Sequence, residues 1–179
     1  MTQQAYQLLA SYWQRARDNA KSLPSQQEIK RYLKGIGFLL AGHNCVSMMG
    51  NVHEILNLPA FTRIPRVKPW VLGVANIRGR LVPVVDLPMY LQLPSSQPFQ
   101  KRRLLVVEDQ HFPVGLLVDD LLGMQQLPEE DLVPWQANMP ELSPYVEHCF
   151  KGKQGWLMFD IKALVSAEAF KQVAVQPEL

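Results

Sequence analysis

Gly73-Val-Ala-Asn-Ile-Arg-Gly-Arg-Leu-Val-Pro-Val-Val-Asp-Leu87 is the stretch whose reading decides the fold. Gly73 to Ile77 reads as a strand. Arg78-Gly79-Arg80 turns the chain, and Leu81 to Leu87 returns as a nearly continuous apolar strand. Glycine at 79 suits a tight hairpin turn because it adopts positive φ without a Cβ penalty. Pro83 removes one backbone donor from the returning strand, which predicts an edge position or a bulge there.

The hairpin theme repeats outward. Phe38–Ala41 and Cys45–Met49 flank Gly42-His43-Asn44, and Leu104–Val107 and Phe112–Val118 flank Glu108-Asp109-Gln110. Tyr145–Phe150 and Trp156–Ile161 flank a turn through Lys151 to Gly155. Val114, Leu116 and Val118 share one side of their strand, and Leu117 on the other side is also apolar, so both faces are open to burial. Val52–Leu56 is a short apolar piece, and Leu121–Gln126 is a further strand candidate. Between Pro59 and Pro69 three prolines in eleven residues predict an extended, turning connection. Helices are expected only at the two ends. Tyr6, Leu9, Trp13, Ala16 and Ala20 recur at three- and four-residue steps across Gln4–Ala20. Ser25 with Glu28 fits a capping box before a second short helix, Gln26–Leu33. Lys162–Phe170 is a third helix, and the tail after Val173 is expected to fray. Strands and helices do not alternate as a doubly wound sheet requires, so the core is all-β and barrel-like.

The chain has 179 residues, enough for one ordinary hydrophobic core. No apolar run reaches eighteen residues, and Met1 to Asn19 lacks the charged start and apolar run of a secretory signal, so a cytoplasmic location is expected. Net charge is +2 but unevenly spread. Residues 1–103 hold 14 of the 18 Lys and Arg and four acids, whereas residues 104–150 hold nine acids and no Lys or Arg. That asymmetry either forms two oppositely charged faces or disappears if folding interleaves the segments.

Catalytic chemistry is not assembled by local spacing. His43 and Cys45 flank a turn, and His148 and Cys149 point to opposite faces of a strand, so no metal-ligand set forms locally. There is no Gly-x-Ser-x-Gly elbow and no phosphate-cradling loop. Asp119-Asp120 and Glu129-Glu130-Asp131 read as solvated turns and helix-start charges rather than a divalent-ion site. No catalytic residue, metal site or cofactor is expected. Arg63, Arg66, Lys68, Arg78 and Arg80 form a basic window with Phe61 and Trp70 as the available stacking platforms. A nucleic-acid-binding barrel is therefore the alternative to a protein-binding one, although the acidic second half would repel a phosphate backbone.

The decisive stretch resembles the CheW family of chemotaxis coupling proteins, whose signature is similar to Gly-Val-Ile-Asn-Leu-Arg-Gly, an apolar strand and Asp-Leu. The likeness extends through Val52-His-Glu-Ile-Leu56, Ile64-Pro65, Val114-Gly-Leu-Leu-Val-Asp119 and Pro128-Glu-Glu-Asp-Leu132, and more weakly from Trp156 to Leu164. The resemblance implies a mainly β fold of two packed, small five-stranded barrels, here at 34–170, with an N-terminal helical extension at 1–33, a C-terminal helix and a tail at 171–179. It implies a non-catalytic adaptor joining a methyl-accepting chemotaxis-type receptor to the regulatory domain of a CheA-like histidine kinase. Its membrane association would be indirect, through receptor arrays near the inner membrane, with no nucleic acid bound. Asn76, Arg78 and Gly79 fall on the coupling motif, and Asp86 and Leu87 on the strand-end Asp-Leu. From the residues alone, Arg78 can brace its loop or present a charge to a partner, and Asp86 can accept from backbone donors at the strand end. The second copy of the theme departs from the first: Gly79 to Asp86 is seven steps, and Gly152 to Asp160 is eight. The long N-terminal arm resembles the branch of the family that serves type IV pili and twitching motility.

Overall fold

A computed structural model describes residues 2–18, 31–109, 112–136, 139–152 and 155–174. The chain divides into two units, residues 1–30 and 31–179. Among its described residues the first contains one helix, α1 (Thr2–Asp18). The predicted capping box at Ser25 and most of the short helix after it lie outside the described residues. Its last three positions do not: Arg31 is in neither helix nor strand, and Tyr32 and Leu33 open a strand instead, because pairing with Pro128 and Leu127 of a neighbouring strand outweighs a weak local helix preference.

Among the described residues, the second unit holds twelve strands. They are β1 (Tyr32–Leu40), β2 (His43–Met48), β3 (Val52–Asn57), β4 (Phe61–Thr62), β5 (Val71–Ile77) and β6 (Arg80–Asp86), followed by β7 (Arg103–Asp109), β8 (Phe112–Val118), β9 (Asp120–Pro128), β10 (Leu132–Pro134), β11 (Val146–Phe150) and β12 (Leu157–Phe159). Two short helices follow strand ends, α2 (Leu87–Tyr90) and α3 (Ile161–Ser166), and a third, α4 (Glu168–Lys171), follows α3. The predicted single C-terminal helix is thus two, divided at Ala167. Beyond α4, Val67 bridges to Ala174 and Lys68 N–H donates to the Val173 carbonyl, so the tail is tied down as far as Ala174.

The strands form two six-stranded sheets with one topology. One sheet runs β10-β11-β12-β2-β1-β9 and the other β4-β5-β6-β8-β7-β3. Each has one parallel contact, β12 with β2 and β6 with β8, among antiparallel ones. The second sheet is built from one continuous stretch of chain, residues 52–118. The first is assembled from both ends, β1–β2 and β9–β12. Pro83 lies on a strand paired on both sides, so the expected edge is absent. Its position explains the tolerance: β8 pairs with Val84 to Asp86 only, leaving Pro83 opposite Val74 of β5 on one side. The irregularity in that hairpin falls at Val71/Gly73 instead.

The apolar alternation divides between two cores. On β7, Leu104 and Val106 enter a cluster with Ala75, Ile77, Val82, Val84 and Leu117, inside the second sheet's curl. Leu105 and Val107 enter a larger cluster with Phe38, Leu40, Leu116, Val118, Leu157 and Phe159, which both sheets share. Period-two patterning buried on both faces produces the continuous apolar runs of the sequence. The first sheet has its own smaller cluster around Val46, Phe150 and Trp156.

Candidate functional site

Ile77 pairs with Arg80, so Arg78 and Gly79 form a two-residue hairpin loop. Both have positive φ, 50° and 82°. That is the type I′ geometry whose twist matches the flanking strands. Gly79 takes it without strain. Arg78 carries a Cβ and pays a conformational cost, which local bonds offset: the Asn76 side-chain oxygen accepts the Gly79 N–H at 2.8 Å. Asn76 is thereby the residue that shapes the turn.

The Arg78 guanidinium reaches Glu54 of β3, Nη2 to Oε1 at 2.8 Å. Three strand spacings separate β3 from β6 in the sheet order, about 14 Å if the sheet were flat. The contact therefore requires the sheet to curl so that the β5–β6 turn meets its far edge. Arg80 pairs with Glu108 of β7 at 3.1 Å, and His53 lies 3.9 Å from the other oxygen of the same carboxylate. The result is a charged patch of Arg78, Arg80, Glu54, Glu108 and His53. Leu81, next along β6 and 73% exposed, points to the opposite face of the strand from Arg80. Although ion-paired, the Arg78 side chain is itself 79% exposed. An exposed pair of this kind contributes roughly 0.2–1 kcal/mol, so it orients the guanidinium more than it stabilises the fold.

Asp86 sits elsewhere, at the buried end of β6. One oxygen accepts the Met89 N–H at 3.1 Å and caps α2, while the other takes Arg102 Nη1 at 2.7 Å. Arg102 Nε also stands 3.8 Å from Asp119, which is fully buried at the passage from β8 to β9. Asp119 accepts the Ser95 and Ser96 hydroxyls, the Ser96 N–H at 3.1 Å and the Ala41 N–H at 2.8 Å. Burial pushes its carboxyl pKa up, but the bonds from Ser95, Ser96 and Ala41 outweigh it and hold the group below the usual carboxylate range. Asp119 and Asp86 thus clamp Arg102 as structural charges. The sequence reading of Asp119 as a solvated turn is corrected here.

Two ion-pair partners of the turn escaped the sequence. Glu54 and Glu108 lie 24 and 30 positions from Arg78, and neither spacing has a local signature. The charge asymmetry is partly interleaved, since Arg80–Glu108 and Arg102–Asp119 join the basic and acidic stretches. In the basic window, Arg78 and Arg80 are ion-paired and Lys68 lies over the Trp70 ring at 5.9 Å. Cys45 is buried and its thiol pKa is raised by desolvation, while Cys149 is separated from it by Leu157 of the intervening strand. Among the described residues no three His, Cys, Asp or Glu side chains converge as a metal site. No described helix is long and apolar enough to cross a membrane.

Residues 34–169 match the family model of the CheW-like domain. The chain is 42% identical over 177 residues to Protein PilI of Pseudomonas aeruginosa, spanning 97% of this chain and 98% of the relative. It is 33% identical over 93 residues to Chemotaxis protein CheW of Bacillus subtilis, spanning 52% of this chain and 60% of that one. The crystal structure of scaffolding protein TtCheW from Thermoanaerobacter tengcongensis superposes with a TM-score of 0.66 at 22% identity, covering 77% of this chain and 95% of that chain. That likeness establishes a shared fold.

Proposed function

We propose that this chain, which belongs to the CheW-like domain family, is a non-catalytic signalling adaptor joining a methyl-accepting chemotaxis-type receptor to a CheA-like histidine kinase in a system that controls type IV pilus twitching motility. The observation that carries the reading is the near end-to-end likeness to Protein PilI. The domain at 34–170 supplies the coupling surface, and residues 1–33 are an extension to it. The protein acts in the cytoplasm, at receptor arrays near the inner membrane, with no cofactor of its own.

Within the domain, Asn76, Arg78 and Gly79 form the candidate partner contact. Arg78 is oriented by Glu54 yet remains exposed, which suits a guanidinium offered to a partner carboxylate or carbonyl row. Asp86 serves the structure at the strand end.

The test is reconstitution. Purified chain should co-sediment with a receptor signalling domain and with a kinase regulatory domain, and should link the two when both are present. Arg78→Glu should fold normally and lose at least one of these associations. In the source bacterium, deletion should abolish twitching while leaving swimming intact. Failure to bind either partner, or tight binding to nucleic acid that collapses as salt rises, would sink the proposal.

A further inference from the structure

We propose that residues 175–179 of this chain act as a strap, an added edge strand that closes the apolar groove between the second sheet and the C-terminal helices. The groove has a volume of about 380 Å³, within the range of clefts that take a ligand or several side chains. Ile64 and Val67 line it from the segment after β4, Pro83 from β6, Phe112 from β8, and Phe170 and Val173 from the end of the described chain. Phe112 is 78% exposed, and Ile64 and Val173 are exposed beside it. A continuous apolar surface of this kind calls for a cover.

Tether, pattern and charge select the occupant. Val67 bridges antiparallel to Ala174, and the Lys68 N–H donates to the Val173 carbonyl at 2.9 Å. At its last described residue the chain is therefore already running antiparallel along the rim of the groove. The same ladder continues when the N–H of Val175 donates to the Arg66 carbonyl. β4, which leads into this segment, is the edge strand of its sheet, and an edge leaves a row of donors and acceptors open to pairing.

In extended chain, alternate side chains share a face. Val173 lines the groove, so Val175, Pro177 and Leu179 follow it on the groove side. Ala174, Gln176 and Glu178 take the other side. The tail thus alternates apolar and polar in phase with the surface it would cover. Pro177 has no N–H to donate, so the apolar face holds the outer half of the strap more than the ladder does.

Charge agrees with the register. Glu178, four residues on from Ala174, comes level with Arg63, four residues before Val67. Opposite charges so placed stabilise a strand pair. Arg63 and Arg66 are exposed, and among the described residues neither has an ion pair. The groove lining carries Lys171 and no acid. A short tether gives the tail a local concentration in the millimolar range, which favours it over the tail of a second copy. A partner that reached this groove would have to displace the strap.

The experiment uses the full chain with Cys149→Ser, the other thiol, Cys45, being buried. On mild oxidation Arg63→Cys/Glu178→Cys should close a disulfide within one chain. Anilinonaphthalene sulfonate, a dye that fluoresces on exposed apolar surface, reads the groove and should bind the parent weakly. Val175→Asp and Leu179→Asp should each raise its fluorescence several-fold, and adding Phe112→Ser to Val175→Asp should remove the gain. Gln176→Asp, on the other face, should leave the parent signal unchanged. Four results would overturn the proposal. They are failure of the disulfide to form, a disulfide-linked dimer that puts the tail of a second copy in the groove, equal effects of Val175→Asp and Gln176→Asp, and strong dye binding by the parent, which would leave the groove open to an external partner.

Discussion

Arg78 occupies a backbone conformation that a residue with a Cβ adopts at a cost, and it is both tethered to Glu54 and exposed. A charge exchange separates its two possible roles. Arg78→Glu alone should lower the thermal midpoint by no more than a few degrees, since the lost pair is worth roughly 0.2–1 kcal/mol. The double variant Arg78→Glu/Glu54→Arg restores an ion pair between the same positions with reversed polarity. If Arg78 contacts a partner, pull-down should show coupling still lost in the double variant; recovery of coupling would make Arg78 a brace. Asp119 behaves differently because it is fully buried. Its carboxyl pKa is depressed in the folded state, so its contribution to stability is present above the unfolded value of about 3.9 and is lost as pH falls through the folded value. Asp119→Asn should therefore lower the urea midpoint at pH 7, and the gap from the parent should narrow as pH drops below about 4. A gap of constant size from pH 7 to pH 3 would show that charge is not what Asp119 contributes.

At the scale of elements, the two sheets end their parallel strands in the same way. Asp86 is the last residue of β6 and caps α2, and Asp160 follows β12 and caps α3 by accepting the Ala163 N–H at 3.0 Å. The extra residue between Gly152 and Asp160 leaves that cap intact. The caps differ in what else they hold, since Asp86 also neutralises buried Arg102. Asp160→Ala should cost about 0.5–2 kcal/mol as the loss of a cap. Asp86→Ala should cost about 3–5 kcal/mol, because a buried charge is left without its closest partner. Chemical denaturation of both variants checks the order, and equal losses would mean the Arg102 pair contributes nothing. Gly73 gives a third case: a Cβ there would fall 2.2 Å from the Thr62 carbonyl oxygen. Gly73→Ala should displace β4 and unfold at lower denaturant than the parent. These elements also mark the boundary of what a linear reading reaches. The hairpins β1–β2, β5–β6, β7–β8 and β11–β12 were legible because glycine and turn chemistry act over a few residues. The parallel contacts β6–β8 and β12–β2 join segments with intervening chain, and no local pattern encodes them. The four-residue helix α2 is too short to show a helical period, and its Asp86 cap is visible only once the strand end is known. In the candidate site Asn76, Arg78 and Gly79 were legible as a turn. Glu54 and Glu108 were not, because the curl of the sheet is what carries them to the turn.

The whole second unit is interlocked by its chain path. The sheet built from residues 52–118 is enclosed in sequence by the two segments that make up the other sheet, and the chain passes between sheets from β2 to β3 and from β8 to β9. The shared cluster draws Phe38 and Phe159 from one sheet and Leu105 and Leu116 from the other. Phe38 is fully buried and meets Phe159 edge-on at 5.9 Å. Such a core cannot lose one sheet without exposing the apolar face of the other, so the two should open as one cooperative unit despite their separate inner clusters. Phe38→Ala should cost about 3–5 kcal/mol. Native-state hydrogen exchange should then show protection falling by the same factor, on the order of a hundredfold or more, in β2 and β12 around the lesion and in β7 on the far sheet. If β7 kept its protection while β2 lost it, the sheets would be independent folding units, and their shared topology would reflect two domains packed together. Loss in both instead makes the CheW-like domain a single mechanical body, in which the Arg78 turn is held in fixed geometry to the other sheet.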